Sequence, residues 1–375
     1  MKIVVTGGAG FVGSHACEHF KRQGHEVVAV DNFSRHLLLG KPHATTEFNV
    51  QFLESIDVPL IRADITNSEQ ISHALRGAEA IIHTAAQTAV TTSLQDPLTD
   101  FRVNALGTVN VLEAARQNDA AVVFCSTNKV YGDNVNKLRI LEDLRRYRFS
   151  GSVAVDEKLS VDHTEHTPYG SSKLLGDVYC QDYAHVYGLK TGVFRMSCIY
   201  GTRQLGVEDQ GWVAWFTIAT MFGSPINIYG DGKQVRDVLF VKDLVELYDR
   251  FLQSKTKHGV YNTGGGINNT LSLIELLDLL EEFTGKRSKL KYHDWRPSDQ
   301  KVYISDITKA ADHFGWKPKI TPAQGVKKMV EWIEENRHIF ARNFEESPSQ
   351  SLSFPERKGL DLTPKKTSFQ TSMEV

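Results

Sequence analysis

MKIVVTGGAGFVG, residues 1–13, opens on an apolar run rich in β-branched residues, Lys2 to Thr6, that breaks into glycines at Gly7, Gly10 and Gly13. A strand that ends this way and hands over to a helix-permissive segment presents bare backbone and a helix N-terminus to a pyrophosphate. Gly7 serves the tight turn, Gly10 lets phosphates approach the backbone, and Gly13 lets the helix, expected from Phe11 to about Gln23, sit close to the strand. Phe11 and Val12, between the last two glycines, belong to the same cofactor set. Eighteen residues after Gly13 a second apolar run, Glu26 to Val30, ends at Asp31, where the acid that binds the adenosine ribose belongs. Its charge repels a 2′-phosphate, so NAD is expected rather than NADP. Asn32, Ser34 and Arg35 follow at the same strand end.

The 375 residues carry a net charge of −2 and a pI near 6.7, which gives no electrostatic reason to expect nucleic acid or a membrane surface as partner. A small-molecule substrate is expected. No apolar run approaches the roughly 20 residues of a membrane span, and Met1 leads into the first strand without a signal pattern. Cys17, Cys125, Cys180 and Cys198 lack metal-ligand or disulfide spacing. They read as reduced, mostly buried thiols of a cytoplasmic enzyme with no metal.

From Met1 to about Ala121, short apolar runs alternate with helical periodicity, the pattern of a parallel sheet covered on both faces. The third run, Pro59 to Arg62, leads to Asp64 and Ile65. Asp64 reads either as an acceptor for an adenine amino group or as the N-cap of a helix from Ser68 to Leu75. The fourth run, Ala80 to His83, leads to Ala85, Ala86 and Gln87, small enough to leave room for a cofactor across the sheet edge. A helix from Phe101 to Arg116 carries Asn104 near its start. The fifth run, from Ala121, ends in Ser126 and Thr127, both placed to face substrate at a strand's carboxyl end. A polar stretch, 133–166, is long for a connection and is expected to cover the site or pack on a neighbour. Tyr169 and Lys173 then open a helix to about Tyr187, four residues apart and on one face. A tyrosine, whose pKa is ordinarily about 10, is a poor base at neutral pH. A neighbouring lysine and a positive nicotinamide are expected to lower it, so that Tyr169 removes a proton from an alcohol held by Thr127.

Taken in order, TGGAGFVG (Thr6 to Gly13), Asp31, Asn104, the run ending in Thr127 with VYG (Val130 to Gly132), YGSSK (Tyr169 to Lys173), GDGKQVRDVLFVKD (Gly230 to Asp243), YNTGGG (Tyr261 to Gly266) and RPSDQ (Arg296 to Gln300) resemble the extended short-chain dehydrogenase/reductase family, in its nucleotide-sugar epimerase and dehydratase branch. The resemblance covers roughly Met1 to Arg337. It implies a Thr127, Tyr169, Lys173 triad, a tightly held NAD that is recycled, and a homodimer built by packing helices. It also implies a cofactor set that takes in Asp64, Ile65, Asn104 and Ser197. Dehydrating members carry Asp-Glu directly after the catalytic hydroxyl residue; Asn128 and Lys129 stand there, which turns the reading to an epimerase. Within the epimerases, STNKVYG (Ser126 to Gly132), YGTRQ (Tyr200 to Gln204) and DQGWVAWF (Asp209 to Phe216) resemble the CDP-paratose 2-epimerase group. UDP-galactose 4-epimerases carry asparagine where Cys198 stands.

That resemblance implies oxidation at C2 of a CDP-hexose and return of hydride to the opposite face; UDP-hexose 4-epimerisation and keto-sugar reduction are the alternatives. Such a cycle needs a firm hold on the nucleotide and a loose one on the sugar. Arg236 and Arg296 are charged forks suited to the diphosphate, with Asp299 and Tyr303 beside them. Asn128, Cys198, Arg203 and Gln210 complete the expected substrate contacts. Trp212 reads as core more readily than as a base-stacking wall. The fold expected is α/β: a Rossmann-type doubly wound parallel sheet in 1–204, a smaller mixed α/β substrate domain in 205–340 interleaved with it, and a mobile tail from 341 to 375.

Overall fold

The computed structural model describes residues 1–35, 44–151, 154–296 and 299–340; the tail expected at 341–375 lies outside the described residues. The strands run β1 (Lys2–Thr6), β2 (Glu26–Asp31), β3 (Leu60–Arg62), β4 (Ala80–His83), β5 (Ala121–Thr127), β6 (Ile140–Glu142), β7 (Tyr147–Phe149), β8 (Thr191–Met196), β9 (Cys198–Tyr200), β10 (Ile226–Tyr229), β11 (Val235–Phe240), β12 (His258–Thr263), β13 (Thr270–Ser272), β14 (Leu290–His293) and β15 (Val302–Tyr303). Among the described residues the largest sheet has seven strands in the order β12-β8-β5-β4-β1-β2-β3, all parallel. Ile3, Val4, Val5, Ile81, Ile82, Val122 and Val123 are buried, because helices cover both faces of the sheet. The chain order reverses between β1 and β4, so a crevice opens at their carboxyl ends.

The helix expected from Phe101 to Arg116 is broken in two. A helix over Pro97–Phe101 passes through a π-helical turn, Arg102–Leu106, before the helix Gly107–Asn118 begins. The wide turn coincides with Asn104, whose side chain reaches back to the loop after β4. Gly107 has no room for a side chain, since a Cβ would fall 2.7 Å from the Ile65 side chain.

A second sheet has the order β13-β11-β15, with β9 joined to β11. A cut at 204 does not separate the two sheets. β9 precedes that point yet pairs with β11, while β12 follows it and returns to β8 along six residues. The helix Val241–Gln253 likewise packs on the helix Phe11–Arg22. Apolar surface decides the return: Tyr261 of β12 is fully buried and stacks on Phe194 of β8. The polar stretch after Gly132 folds as the β6–β7 hairpin, and Tyr147, Phe149 and Val155 bury against Val302 and Tyr303. No helix of the described residues is long and apolar enough to cross a membrane.

Candidate active site

The glycine turn is built as its spacing requires. Gly7 has φ +70°, a Cβ on Gly10 would fall 2.9 Å from the Gly7 carbonyl oxygen, and one on Gly13 would collide with that same oxygen. The helix Phe11–Arg22 therefore lies against β1 with its N-terminus bare, since its N-cap, Gly10, offers no side chain to the first N–H groups. Beside it, Asp31 Oδ2 accepts from the Ala9 N–H at 3.0 Å and Oδ1 from the Phe33 N–H at 2.8 Å. Burial raises the Asp31 pKa, against the pull of these backbone donors.

An elongated cavity runs across the strand ends from this turn. Gly7, Gly10, Phe11, Val12, Asp31, Asn32, Ser34, Arg35, Asp64, Ile65, Ala85, Ala86 and Gln87 line it, as do Tyr169, Lys173 and Gln210. A bare helix N-terminus, an acid one strand over and a long trough between them fit a dinucleotide. Thr84, Thr88, Cys125, Met196 and Gln204 line the cavity too. Thr84 precedes the small residues expected at that strand end; Thr88, Cys125, Met196 and Gln204 were not expected, although Met196 ends β8 and the strand-end rule points to it.

Asn104, Ser197 and Ser126 stand one layer behind, while Asp64, on the cavity wall, is not the cap it could have been. Asn104 is buried with its amide spent on the Gln87 N–H and carbonyl, Asp100 and Ser172. It braces the loop that lines the cavity and does not line it. Asp64 is not an N-cap; that place belongs to Asn67, and Asp64 instead accepts from Thr66 and from Asn32 Nδ2 at 2.8 Å. Ser197 donates to the Asp237 carbonyl at 3.0 Å. Ser126 faces away from the substrate, because alternate residues of a strand face opposite sides. Its hydroxyl donates to Asp177, itself in a buried ion pair with Arg195 at 2.9 Å.

Thr127 and Tyr169 meet at the cavity end. Thr167 caps the helix Pro168–Tyr187, Pro168 fills its first turn, and Tyr169 comes up to Thr127, whose hydroxyl favours the phenolate. Lys173, one turn on, is buried with its ammonium 4.3 Å above the Phe124 ring. The expected lowering of the tyrosine pKa by Lys173 does not occur in the protein alone. Burial outweighs the pull of the Thr127 hydroxyl and pushes the phenol up to about 12. The same burial takes Lys173 down to about 8. Both charged forms lose water, and for each that loss is the largest effect.

Of the expected substrate residues, Arg236 pairs with Asp299 at 2.7 Å, and Asp299 lines a second cavity with Arg296, Tyr147 and Trp295. Arg296 pairs with Asp209 at 2.8 Å and lies 4.0 Å above the Tyr229 ring. Asn128 donates to Gln300, and Cys198 accepts from the Trp212 indole at 3.2 Å. Trp212, with Trp215 and Phe216, packs on the second core as expected of a helix's apolar face. Gln210 accepts from Arg35 at 3.0 Å, which sets it against the first cavity rather than with the arginines. Arg203 lies apart from the other two arginines, among the residues beside the glycine turn. It is buried, pairs with Glu18 at 2.7 Å and lies 3.9 Å above the Phe52 ring, bracing the helix that carries the glycine turn. Tyr303 is fully buried and stacked on Tyr131, behind Arg236.

Residues 3–264 match the NAD dependent epimerase/dehydratase family. The chain is 38% identical to a CDP-paratose 2-epimerase of Salmonella typhi over 345 residues, 88% of this chain and 99% of that one. It is 30% identical to a UDP-glucose 4-epimerase of Thermus thermophilus, solved as a complex with NAD, with a TM-score of 0.74 over 89% of this chain and 99% of that one. A Thermotoga maritima UDP-glucose 4-epimerase, solved with UDP-glucose, gives 29% and 0.75 over 90% and 100%. With the glycine turn, the acid of β2 and the Thr127–Tyr169–Lys173 cluster at one trough, the chain belongs to the NAD-dependent epimerase/dehydratase family.

Proposed function

We propose that this protein inverts C2 of a CDP-activated hexose, interconverting CDP-paratose and CDP-tyvelose. The observation that carries the reading is Tyr169 lining the dinucleotide trough beside Thr127 and one turn before Lys173, in a chain 38% identical to a CDP-paratose 2-epimerase. Bound NAD supplies a two-electron acceptor and a positive ring at that end. Thr127 orients the C2 hydroxyl, and Tyr169 takes its proton when the carbon is oxidised and returns it when the carbon is reduced. Lys173 keeps positive charge one turn from the phenol oxygen, favouring the phenolate during that exchange. Arg236 and Arg296 hold the diphosphate while the 2-keto sugar presents its other face.

Incubation with CDP-paratose, CDP-glucose and UDP-glucose tests the reading. Epimerisation of CDP-paratose alone is the result expected, without deuterium uptake from solvent. Turnover of UDP-glucose in its place would overturn it.

The protein is proposed to act as a homodimer. Leu98 and Phe101 on Pro97–Phe101, with Val178, Tyr179 and Val186 on Pro168–Tyr187, are exposed apolar side chains on two helices that pack together. An apolar face of this kind on neighbouring helices suits a second copy.

A further inference from the structure

A chain of polar groups runs from the catalytic hydroxyl to an anchoring arginine. Thr127 Oγ1 donates to Asn128 Oδ1 at 3.4 Å, and Asn128 Nδ2 donates to Gln300 Oε1 at 3.2 Å. The Gln300 N–H donates to Asp299 Oδ1 at 2.9 Å, and Arg236 Nη2 donates to the same oxygen at 2.7 Å. Lys129 follows Asn128, and its backbone N–H donates to Thr127 Oγ1 at 3.3 Å. Its side chain is half-buried. Among the described residues its ammonium makes no hydrogen bond and no ion pair, while Asp299 nearby is paired with Arg236. Burial, with the Arg236 guanidinium, pushes its pKa down, and the charges of Asp299 and Asp133 only partly offset this. A sheltered ammonium beside a guanidinium is costly without an anion bonded to it directly.

We infer that Lys129 binds the sugar-proximal phosphate of the nucleotide sugar and, by holding it next to Thr127, brings C2 rather than C4 to Tyr169. The inference rests on the C2 reading above. In a nucleotide hexose the phosphate hangs from C1; C2 is the next carbon, whereas C4 lies across the ring. A base that works on C4 needs the diphosphate a ring's width away. One that works on C2 needs it close, and a cation two residues from the catalytic threonine supplies that hold. Arg236, at the other end of the polar chain, is left for the phosphate nearer the nucleoside.

The test compares NAD-loaded wild type with Lys129→Met and Lys129→Arg, using CDP and CMP as binding probes and CDP-paratose as substrate. CDP carries the second phosphate that CMP lacks. Lys129→Met is expected to weaken CDP about tenfold to a hundredfold, as for loss of one charge-assisted contact, and to leave CMP unchanged. It should lower kcat as well as raise KM, because the carbon is no longer held at Tyr169, and Lys129→Arg should recover part of both. Equal effects on CDP and CMP, or none on either, would overturn the phosphate contact. Failure of wild type to epimerise CDP-paratose would instead count against the C2 reading, whatever the variant binds.

Discussion

Lys173 lies one helical turn beyond Tyr169, and the same burial drives their pKa values in opposite directions, to about 8 and about 12. At neutral pH the free protein thus holds a neutral phenol and a largely protonated lysine. The base form of Tyr169 grows with pH while the charged form of Lys173 declines through about 8. The profile of log kcat/KM should rise with unit slope through neutrality and level off near pH 8. Tyr169→Phe should lower kcat by about 10² to 10⁴, and Lys173→Met should abolish the break at pH 8. A flat profile between pH 6 and 8 would contradict these assignments.

Gly13→Ala places a methyl group against the Gly7 carbonyl oxygen. Helix and turn must part to admit it, and the bare N–H groups are then displaced from the pyrophosphate. NAD retained through purification should fall from near stoichiometric to a small fraction, read from the absorbance of the denatured supernatant. Gly188→Ala serves as comparison: nothing crowds a Cβ there, although its φ of +72° imposes some backbone strain.

Two arginines that look alike in the sequence should separate by assay. Arg203→Met leaves Glu18 buried with Arg22 and a His15 that burial keeps uncharged, and should cost about 3–5 kcal/mol of stability by urea unfolding while KM in the folded fraction holds. Arg236→Met should do the reverse, raising KM for the nucleotide sugar about tenfold or more. If Arg203→Met raised KM and left stability intact, the bracing role would be wrong.

His83 is sealed between Thr6 Oγ1 at 2.7 Å and Thr108 Oγ1 at 3.1 Å, and burial takes its pKa down to about 3. The unfolded chain takes up a proton near pH 6.5 that the folded one refuses until about 3, so stability contributed by this residue is intact above pH 6.5 and declines as pH falls through that window. His83→Gln should reduce the slope of unfolding free energy against pH by about one proton between pH 6 and 4. An unchanged slope would show that the imidazole is hydrated.

Leu98→Asp with Tyr179→Asp should shift the protein to half its native mass in sedimentation, if the exposed faces of their helices meet a second copy. A wild type that sediments as a monomer at all concentrations would remove the proposal.

Much of the sheet was legible because strands buried on both faces are unbroken apolar runs, and Lys2–Thr6, Ala80–His83 and Ala121–Thr127 are such runs. β12 reads HGVYNT, with neither alternation nor a continuous apolar stretch; only its pairing with β8 makes it a strand of the first sheet. The trough was legible as a motif, from Gly7, Asp31, Tyr169 and Lys173. What a motif does not encode is the direction of a side chain. Asn104, Arg203, Tyr303 and Ser126 all lie beside the site in sequence, yet turn into buried hydrogen bonds, an ion pair or a ring stack.

β8 ends at Met196 and β9 begins at Cys198, so Ser197 is all that separates a strand of the large sheet from a strand of the small one. A hinge needs slack, and one residue already tied to Asp237 offers none. The two lobes are therefore tied at their shared floor, and a displacement of the small sheet is passed straight to Met196, on the wall of the cavity where an oxidised sugar has to roll over.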